Sequence, residues 1–380
     1  MDQPLLSSFF DYFGDVPDPR IHRTRRYTLV DLLFIALCAV LCGAEECTAM
    51  ADFAAGRREW LCRYVDLSQG TPSHDTFSRV LGLLDPEPFS RCFVEWVDHL
   101  HERKKGQIVP IDGKTLRHSF DKATGKAAVH MVSAFCQANG LVLGQVKVDD
   151  KSNEITAIPQ LLDMLDLEGC IVTLDAQGTQ RAIVHQIQEK KADYVVAVKA
   201  NQPDLMADIE AFYQRNRANR FLDADAAVVP HTYQETIDAD HGRIETRRCW
   251  ACGLVEEIPS SPVWSGLKSF VLLERERLKD GVSTLERSYY ISSLAPDAGK
   301  LLGAIRAHWG IENSLHWVLD VTFDEDQHRL RKDNAPQNMA TIRHVALNML
   351  KNNTTRKASI RRKRNMAAWE TAFLEEVINN

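Results

Sequence analysis

The sequence predicts an α/β protein, a mixed sheet flanked by helices, with an all-α region ahead of it and a β-rich insertion inside it. Three observations carry this. Up to about residue 100, apolar residues recur at helical spacing. From residue 107, short apolar runs alternate with amphipathic segments. Over 203–295 the alternation gives way to β-rich runs.

The chain has 380 residues, with 46 Lys+Arg against 52 Asp+Glu and a net charge of −6. Hydrophobic content of 44% and charged content of 26% are those of a globular protein of two or three domains. Intrinsic disorder, collagen and a disulfide-stapled miniprotein are excluded, as is a protein that coats nucleic acid by bulk positive charge. A local basic surface stays open. The opening MDQPLLSSFFDYFGDVPD lacks a basic, then apolar, secretory pattern, and Leu29–Ala44 is too short to span a bilayer and contains Asp31. A buried helix and no membrane are expected. Nine scattered cysteines fit reduced thiols in a cytoplasm; Cys249 and Cys252 form a lone CxxC, expected as two semi-buried thiols on a strand.

The elements follow in order. Tyr27–Leu41 reads as an apolar helix, with shorter amphipathic segments at Leu61–Val65 and Phe77–Leu84; Ser73 is placed to cap the latter. Short helices joined by a tight turn suit a helix-turn-helix DNA reader, and equally any small bundle. Gln107–Ile111 reads as a strand ending at Asp112-Gly113-Lys114. Val129–Gln137 and Leu141–Asp149 flank Asn139-Gly140, a hairpin signal. A helix capped by Ser152 should run to Leu165, then a strand Cys170–Leu174 ending at Asp175, a helix Gln180–Lys190 and a strand Asp193–Lys199. This is the element order of a ribonuclease-H-like mixed sheet, shared in large part with several other α/β folds. Next come a helix Asp204–Gln214 and strands Arg243–Ala251, Ser269–Lys279 and Ser283–Ile291, with Asp280-Gly281 marking a second hairpin. Long helices are expected over Asp297–Leu319 and Pro336–Leu350, then a basic tail without acids over Lys351–Asn365. The expected organisation is a helical domain 1–100, a catalytic domain 105–202 and 296–350, a β-rich insertion 203–295, and a basic C-terminal tail 351–380.

Asp112 and Asp175 each end an apolar strand, at the sheet edge where open α/β proteins bind ligands. Two neighbouring carboxylates repel unless a cation lies between them, and hard oxygen donors suit Mg²⁺ or Mn²⁺. Strand-end aspartates also commonly cap turns, and both readings stand. His308, Glu312, His316 and Asp320 recur every four residues and would share one helical face. That stripe suits a third acid, Glu312, or a solvated face, or zinc held by His308, Glu312 and His316, although no HExxH motif is present.

At this point a resemblance appears. PIDGKTLR (110–117), KSNEITAIPQLL (151–162), TLDAQGTQ (173–180), YVVAVKANQP (194–203), HWGIENSLHWVLDVTFDED (308–326) and RKDNAPQNMATIRHVALNML (331–350) resemble bacterial insertion-sequence DDE transposases of the ISAs type, which include the H-repeat-associated proteins. GTPSHDTFSRV resembles that group's N-terminal domain. The resemblance implies a ribonuclease-H-like core in which Asp112, Asp175 and Glu312 hold two divalent ions, Mg²⁺ or Mn²⁺, and a β-rich insertion ahead of Glu312. It implies cleavage of the terminal inverted repeats of a mobile element and their joining to target DNA, by a homodimer on DNA in a bacterial cytoplasm, associated with the nucleoid. The wider superfamily carries Tyr, Arg and Lys around the third acid; here those positions hold Ile305, His308 and Leu319, so Arg306 or His308 would stand in for the arginine. Lys114, Arg117, Lys199 and Asn201, just beyond strand ends, are the expected phosphate contacts, with His118 and His316 weaker candidates. Basic clusters at Arg20–Arg26, Arg103–Lys126 and the tail would make DNA binding salt-sensitive. The competing readings are an inactive or domesticated DNA-binding relative, a nuclease without strand transfer, and a zinc hydrolase.

Overall fold

The computed structural model describes residues 5–100, 104–120, 125, 127–149, 152–218, 221, 228–240 and 242–380. The first hundred residues form α1 (Leu5–Phe13), α2 (Leu29–Leu41), α3 (Cys47–Gly56), α4 (Arg58–Leu61), α5 (His74–Leu83) and α6 (Pro86–Leu100). Then follow β1 (Ile108–Leu116), β2 (Val129–Cys136), β3 (Leu141–Lys147), α7 (Glu154–Met164), β4 (Ile171–Leu174), α8 (Arg181–Glu189), β5 (Asp193–Val198) and α9 (Pro203–Ala218). The β-rich stretch is β6 (His231–Asp240), β7 (Arg243–Cys252), β8 (Ser269–Lys279) and β9 (Val282–Ser292). The chain closes with α10 (Ala298–His308), a π-helical turn Glu312–His316, α11 (Trp317–Thr322), α12 (Ala335–Asn352), α13 (Ile360–Trp369) and α14 (Thr371–Asn379).

Among the described residues the strands form one mixed sheet in the order β3-β2-β1-β4-β5-β9-β8-β7-β6. β1, β4 and β5 run parallel, and β9 joins β5 antiparallel. The predicted α/β class and the neighbouring first and fourth strands are therefore found. The four strands of the β-rich stretch extend the core sheet beyond β5. Two expectations are corrected. β1 does not end at Asp112-Gly113 but runs on to Leu116, because the chain continues beside β2. The helix expected over Asp297–Leu319 ends at His308 and resumes after the π-helical turn.

Chain contacts divide the protein into two compact units: residues 1–102, 113–153 and 312–380 in one, 103–112 and 154–311 in the other. In the first unit α2 is buried over nearly its whole surface and packs on α12, itself almost entirely buried. Thr28 caps α2 by accepting from the Asp31 amide, and Asp31 lies in the first turn, where the helix dipole favours a carboxylate. The hairpin β2–β3 turns at Gly140, with φ +70, and the Asn348 side chain of α12 bonds both N–H and C=O of Val142. Ser73 caps α5, as its position predicts.

The basic tail is not a free tail. Lys363 is buried and donates to the carbonyls of Leu350 and Asn353. Arg364 is buried on α2, donating to the Val40 carbonyl at 2.8 and 3.1 Å and to Glu45 at 2.7 Å. Lys351 donates to the Ser314 carbonyl and lies over the Phe135 ring, and burial pushes its ammonium down to about 8. Lys363 and Arg364 thus reach carbonyls at the C-terminal ends of α12 and α2, where the helix no longer supplies an i+4 amide. In the N-terminal cluster Arg20 is likewise buried against Asp18 at 2.8 Å, whereas Arg23 and Arg26 are exposed. Arg103, Lys122 and Lys126 of the middle cluster lie outside the described residues.

In the second unit α10 lies on β4, β5, β7 and β8, with Leu301, Leu302 and Ile305 packed on Ile171, Val195, Ala251 and Val271. Cys249 and Cys252 are fully buried on β7 with free thiols, and burial pushes Cys249 up to about 12. That is the apolar-strand reading of the CxxC, with no reactive thiolate. No helix among the described residues is long and apolar enough to cross a membrane.

Candidate active site

The two aspartates are set by strand register. Ile108 to Ile111 of β1 pair with Ile171 to Leu174 of β4, so the next residues in step are Asp112 and Asp175. Both strands run the same way, and β4 stops at Leu174, so both carboxylates stand at the carboxyl edge of the parallel strands. Beyond β4 the chain turns at once. Asp175 Oδ1 accepts from the Gly178 amide at 3.1 Å, and the Thr179 hydroxyl reaches the Asp175 and Ala197 carbonyls at 3.1 and 2.7 Å. Asn201 donates to the Ala176 carbonyl at 2.5 Å, tying the loop after β5 to the loop after β4. A Cβ on Gly178 would meet Ile158 at 3.0 Å and Leu174 at 3.2 Å, so the DAQGTQ turn is built around that close approach. Asp175 thus caps its turn through one oxygen, which leaves the carboxylate's further lone pairs for other partners.

His308, in the last turn of α10, joins this group. Its Nδ1 lies 3.1 Å from the Thr173 hydroxyl on β4, two residues before Asp175. Burial pushes its imidazole below the ordinary histidine range, against the opposing pull of Asp175, so the ring is neutral at neutral pH. Arg306, the other stand-in for the superfamily arginine, is directed elsewhere, with its guanidinium 3.0 Å from Asp238 on β6. Ile305 and Leu319, at the superfamily's Tyr and Lys positions, are buried core residues. Lys199 is exposed just past β5.

In the first unit, Glu312 is exposed and opens the π-helical turn. A π turn holds an extra residue, so His308, Glu312, His316 and Asp320 do not share the α-helical stripe that their spacing predicts. Lys114, expected at a phosphate, is turned inward: its ammonium lies 2.5 Å from Asp320, 2.6 Å from Glu325 and 3.6 Å from Asp326, with the side chain 11% exposed. Glu325 is 2% exposed and also faces Arg343 at 3.5 Å. Burial alone would push the Glu325 carboxyl up; Lys114, Arg343 and His344 outweigh it and bring it down to about 2. Arg117 is largely exposed and lies 3.1 Å from Asp326, and His118 bonds the Asp326 carbonyl. Thr173, Glu325 and Asp326 were missed in the sequence, although TLD and DED sit in the motifs that flank Asp175 and follow Glu312.

Among the described residues, no three or more His, Cys, Asp or Glu side chains form a group able to hold a metal ion. The Asp112–Asp175 pair supplies hard oxygen donors of the type that suits Mg²⁺, and by donor chemistry the two residues fit such an ion.

A mixed sheet with paired aspartates at the carboxyl edge of its central strands defines a class of carboxylate-bearing α/β proteins. Comparison with known proteins gives the family: residues 103–349 match the Transposase DDE domain, and residues 10–97 match the model described as DDE_Tnp_1-associated. The chain belongs to the DDE transposase family. It is 42% identical over 98% of its length to the putative transposase YncI of Escherichia coli O157:H7, covering 95% of that protein. It is 38% identical to the H repeat-associated putative transposase YhhI of Escherichia coli K12, with 98% of each chain covered. A 76-residue stretch is 33% identical to the inactive transposase YbfQ of the same strain, covering 20% of this chain and 90% of that one. A piggyBac transposase synaptic complex with hairpin DNA aligns with TM-score 0.48 and 12% identity over 98% of this chain and 81% of that one, too distant to carry weight.

Proposed function

We propose that this chain is an active transposase that cuts the ends of a mobile DNA element and joins them to target DNA, with Asp112, Asp175 and Glu312 as its catalytic carboxylates. The observation that supports this most is the register that brings Asp112 and Asp175 into step where the parallel pairing of β1 and β4 stops, in a member of the DDE family. Two Mg²⁺ or Mn²⁺ ions bound by these three acids would supply activation of the attacking hydroxyl and charge neutralisation at the leaving oxygen of an in-line displacement. The protein's own part is to hold the acids ready. Asp175 is fixed by its turn, and Asn201 ties that turn to the neighbouring loop. A protonated imidazole beside Asp175 would compete with a cation for its carboxylate; burial keeps His308 neutral there, against the pull of Asp175 and the Thr173 contact. Lys199, Arg117 and Arg306 are exposed cations suited to phosphate, whereas the Lys114 charge is matched by carboxylates and serves structure. Two element ends must meet, which calls for a homodimer on DNA.

The test is incubation with a supercoiled donor plasmid carrying the element's own ends, with Mg²⁺. Asp112→Asn, Asp175→Asn and Glu312→Gln should each lower cleavage by more than about a thousandfold while retaining end binding. Cleavage by all three variants at the wild-type rate would overturn the assignment. Joined target DNA identifies a transposase, free ends alone a nuclease, and intact donor an inactive relative.

A further inference from the structure

The π-helical turn that Glu312 opens is held by a lysine from elsewhere in the first unit. A π turn is rare, and a side chain inserted into the hydrogen-bond ladder is one cause of such a break in a helix. Here that side chain is Lys351, in the last turn of α12. Its ammonium donates to the carbonyl of Ser314, in the middle of the turn, at 2.9 Å.

The slot around this lysine fits its stem and its charge. The ammonium lies 4.6 Å from the centre of the Phe135 ring on β2. Gly140, in the β2–β3 turn, also borders it: a Cβ there would stand 3.3 Å from the ammonium and 3.4 Å from Cδ. No carboxylate pairs with Lys351 among the described residues, and burial pushes the ammonium down to about 8. A base held below its ordinary value makes folding less favourable when it is charged. An apolar side chain of similar length would fill the slot without that cost. The ammonium therefore does not serve stability. What it holds is one carbonyl, two residues from Glu312.

The segment after the turn is fixed by other contacts. Leu315 and Leu319 are buried, Lys114 holds Asp320 at 2.5 Å, and Arg364 donates to the Thr322 carbonyl. With α11 fixed in this way, the form of the turn decides where Glu312 points. One residue is about 100° of α-helix, so relaxation of the turn to α spacing would swing Glu312 by about that angle. All of these residues belong to the first unit.

We infer that Lys351 is a positioning residue for the third acid: by holding the Ser314 carbonyl it keeps the turn in its π form and sets Glu312 for a divalent ion. This rests on the reading of Glu312 as a catalytic carboxylate.

The test is a double-mutant cycle on the full chain without DNA. Its readouts are Mn²⁺ binding, followed by the electron paramagnetic resonance of the free ion, and hydrogen exchange of the metal-free chain. Lys351→Met and Glu312→Gln should each weaken Mn²⁺ binding at least about tenfold. Together they should match Glu312→Gln alone to within about twofold, because the lysine acts only through the glutamate. Lys351→Met should also speed exchange of the amides of residues 312–318 at least about tenfold, while the melting temperature does not fall. A Glu312→Gln chain that binds Mn²⁺ like wild type refutes the catalytic role of that acid, and the positioning role falls with it. With Glu312→Gln impaired, wild-type Mn²⁺ binding or wild-type exchange in Lys351→Met overturns the positioning role alone. So does an equal further loss in both backgrounds with a lower melting temperature, the mark of a merely structural lysine.

Discussion

Lys114→Met tests the buried charge cluster of the first unit. The substitution keeps the side chain's length and removes its ammonium, leaving Glu325, Asp320 and Asp326 together with only Arg343 and Arg117 as counterions. Removing one partner of a buried pair costs about 3–5 kcal/mol. Asp320 and Asp326 keep side-chain exposures of 31% and 16%, so the lower end, about 3 kcal/mol, applies at pH 7. For a unit of this size that lowers the melting temperature by roughly 6–12 °C. The dependence on pH is the sharper signature. In the wild type Glu325 sits at about 2 against an ordinary 4.5. Its stabilisation is complete above about pH 4.5 and is lost as pH falls toward 2. In the variant the uncompensated carboxyls rise above their ordinary range, so protonation relieves the repulsion and acid now helps. The deficit should shrink to about 1 kcal/mol at pH 4.5. Thermal and urea unfolding of both proteins at pH 7 and 4.5 measure it. An equal deficit at the two pH values, or one below about 1 kcal/mol at pH 7, would refute the reasoning.

Three further outcomes are expected. Arg364→Ala should lower unfolding free energy by about 3 kcal/mol, because it strips the Val40 carbonyl and Glu45 of their buried partner. Exposed Arg361→Ala and Arg362→Ala should stay within about 0.5 kcal/mol, and urea midpoints separate the cases. Ser73→Ala should cost about 1 kcal/mol through the lost α5 cap, read from the same midpoints. Affinity for element-end DNA should fall steeply between about 50 and 200 mM salt, and equal filter-binding curves at both would count against an electrostatic interface.

The core strands were legible because each is an apolar run closed by a turn residue, and the β2–β3 and β8–β9 hairpins because Gly140 and Asp280-Gly281 supply the left-handed turn positions. Asp112 and Asp175 stood out because they end such runs. β6 escaped notice: HTYQETIDAD is an edge strand with mostly exposed side chains, so burial imposes no alternation on it. The π-helical turn was invisible because its flanking residues keep helical spacing on either side. Lys114, Lys363 and Arg364 look like surface charges in the sequence; what makes them internal is a set of acids and carbonyls distant along the chain, which no local pattern records.

The seating of α12 and α13 on α2 also bears on how the first unit is made. Arg364 reaches Val40 across 324 positions of sequence. At about 5–20 residues per second, α2 leaves the ribosome roughly 15–65 s before the side chain that closes its last turn exists. Throughout that interval a nearly all-apolar helix has no partner but its own bundle. The nascent chain is then at its most exposed to chaperones and proteases. A message cut short before α13 would leave α2 in that state for good, so a broken copy of this gene would yield no folded first unit.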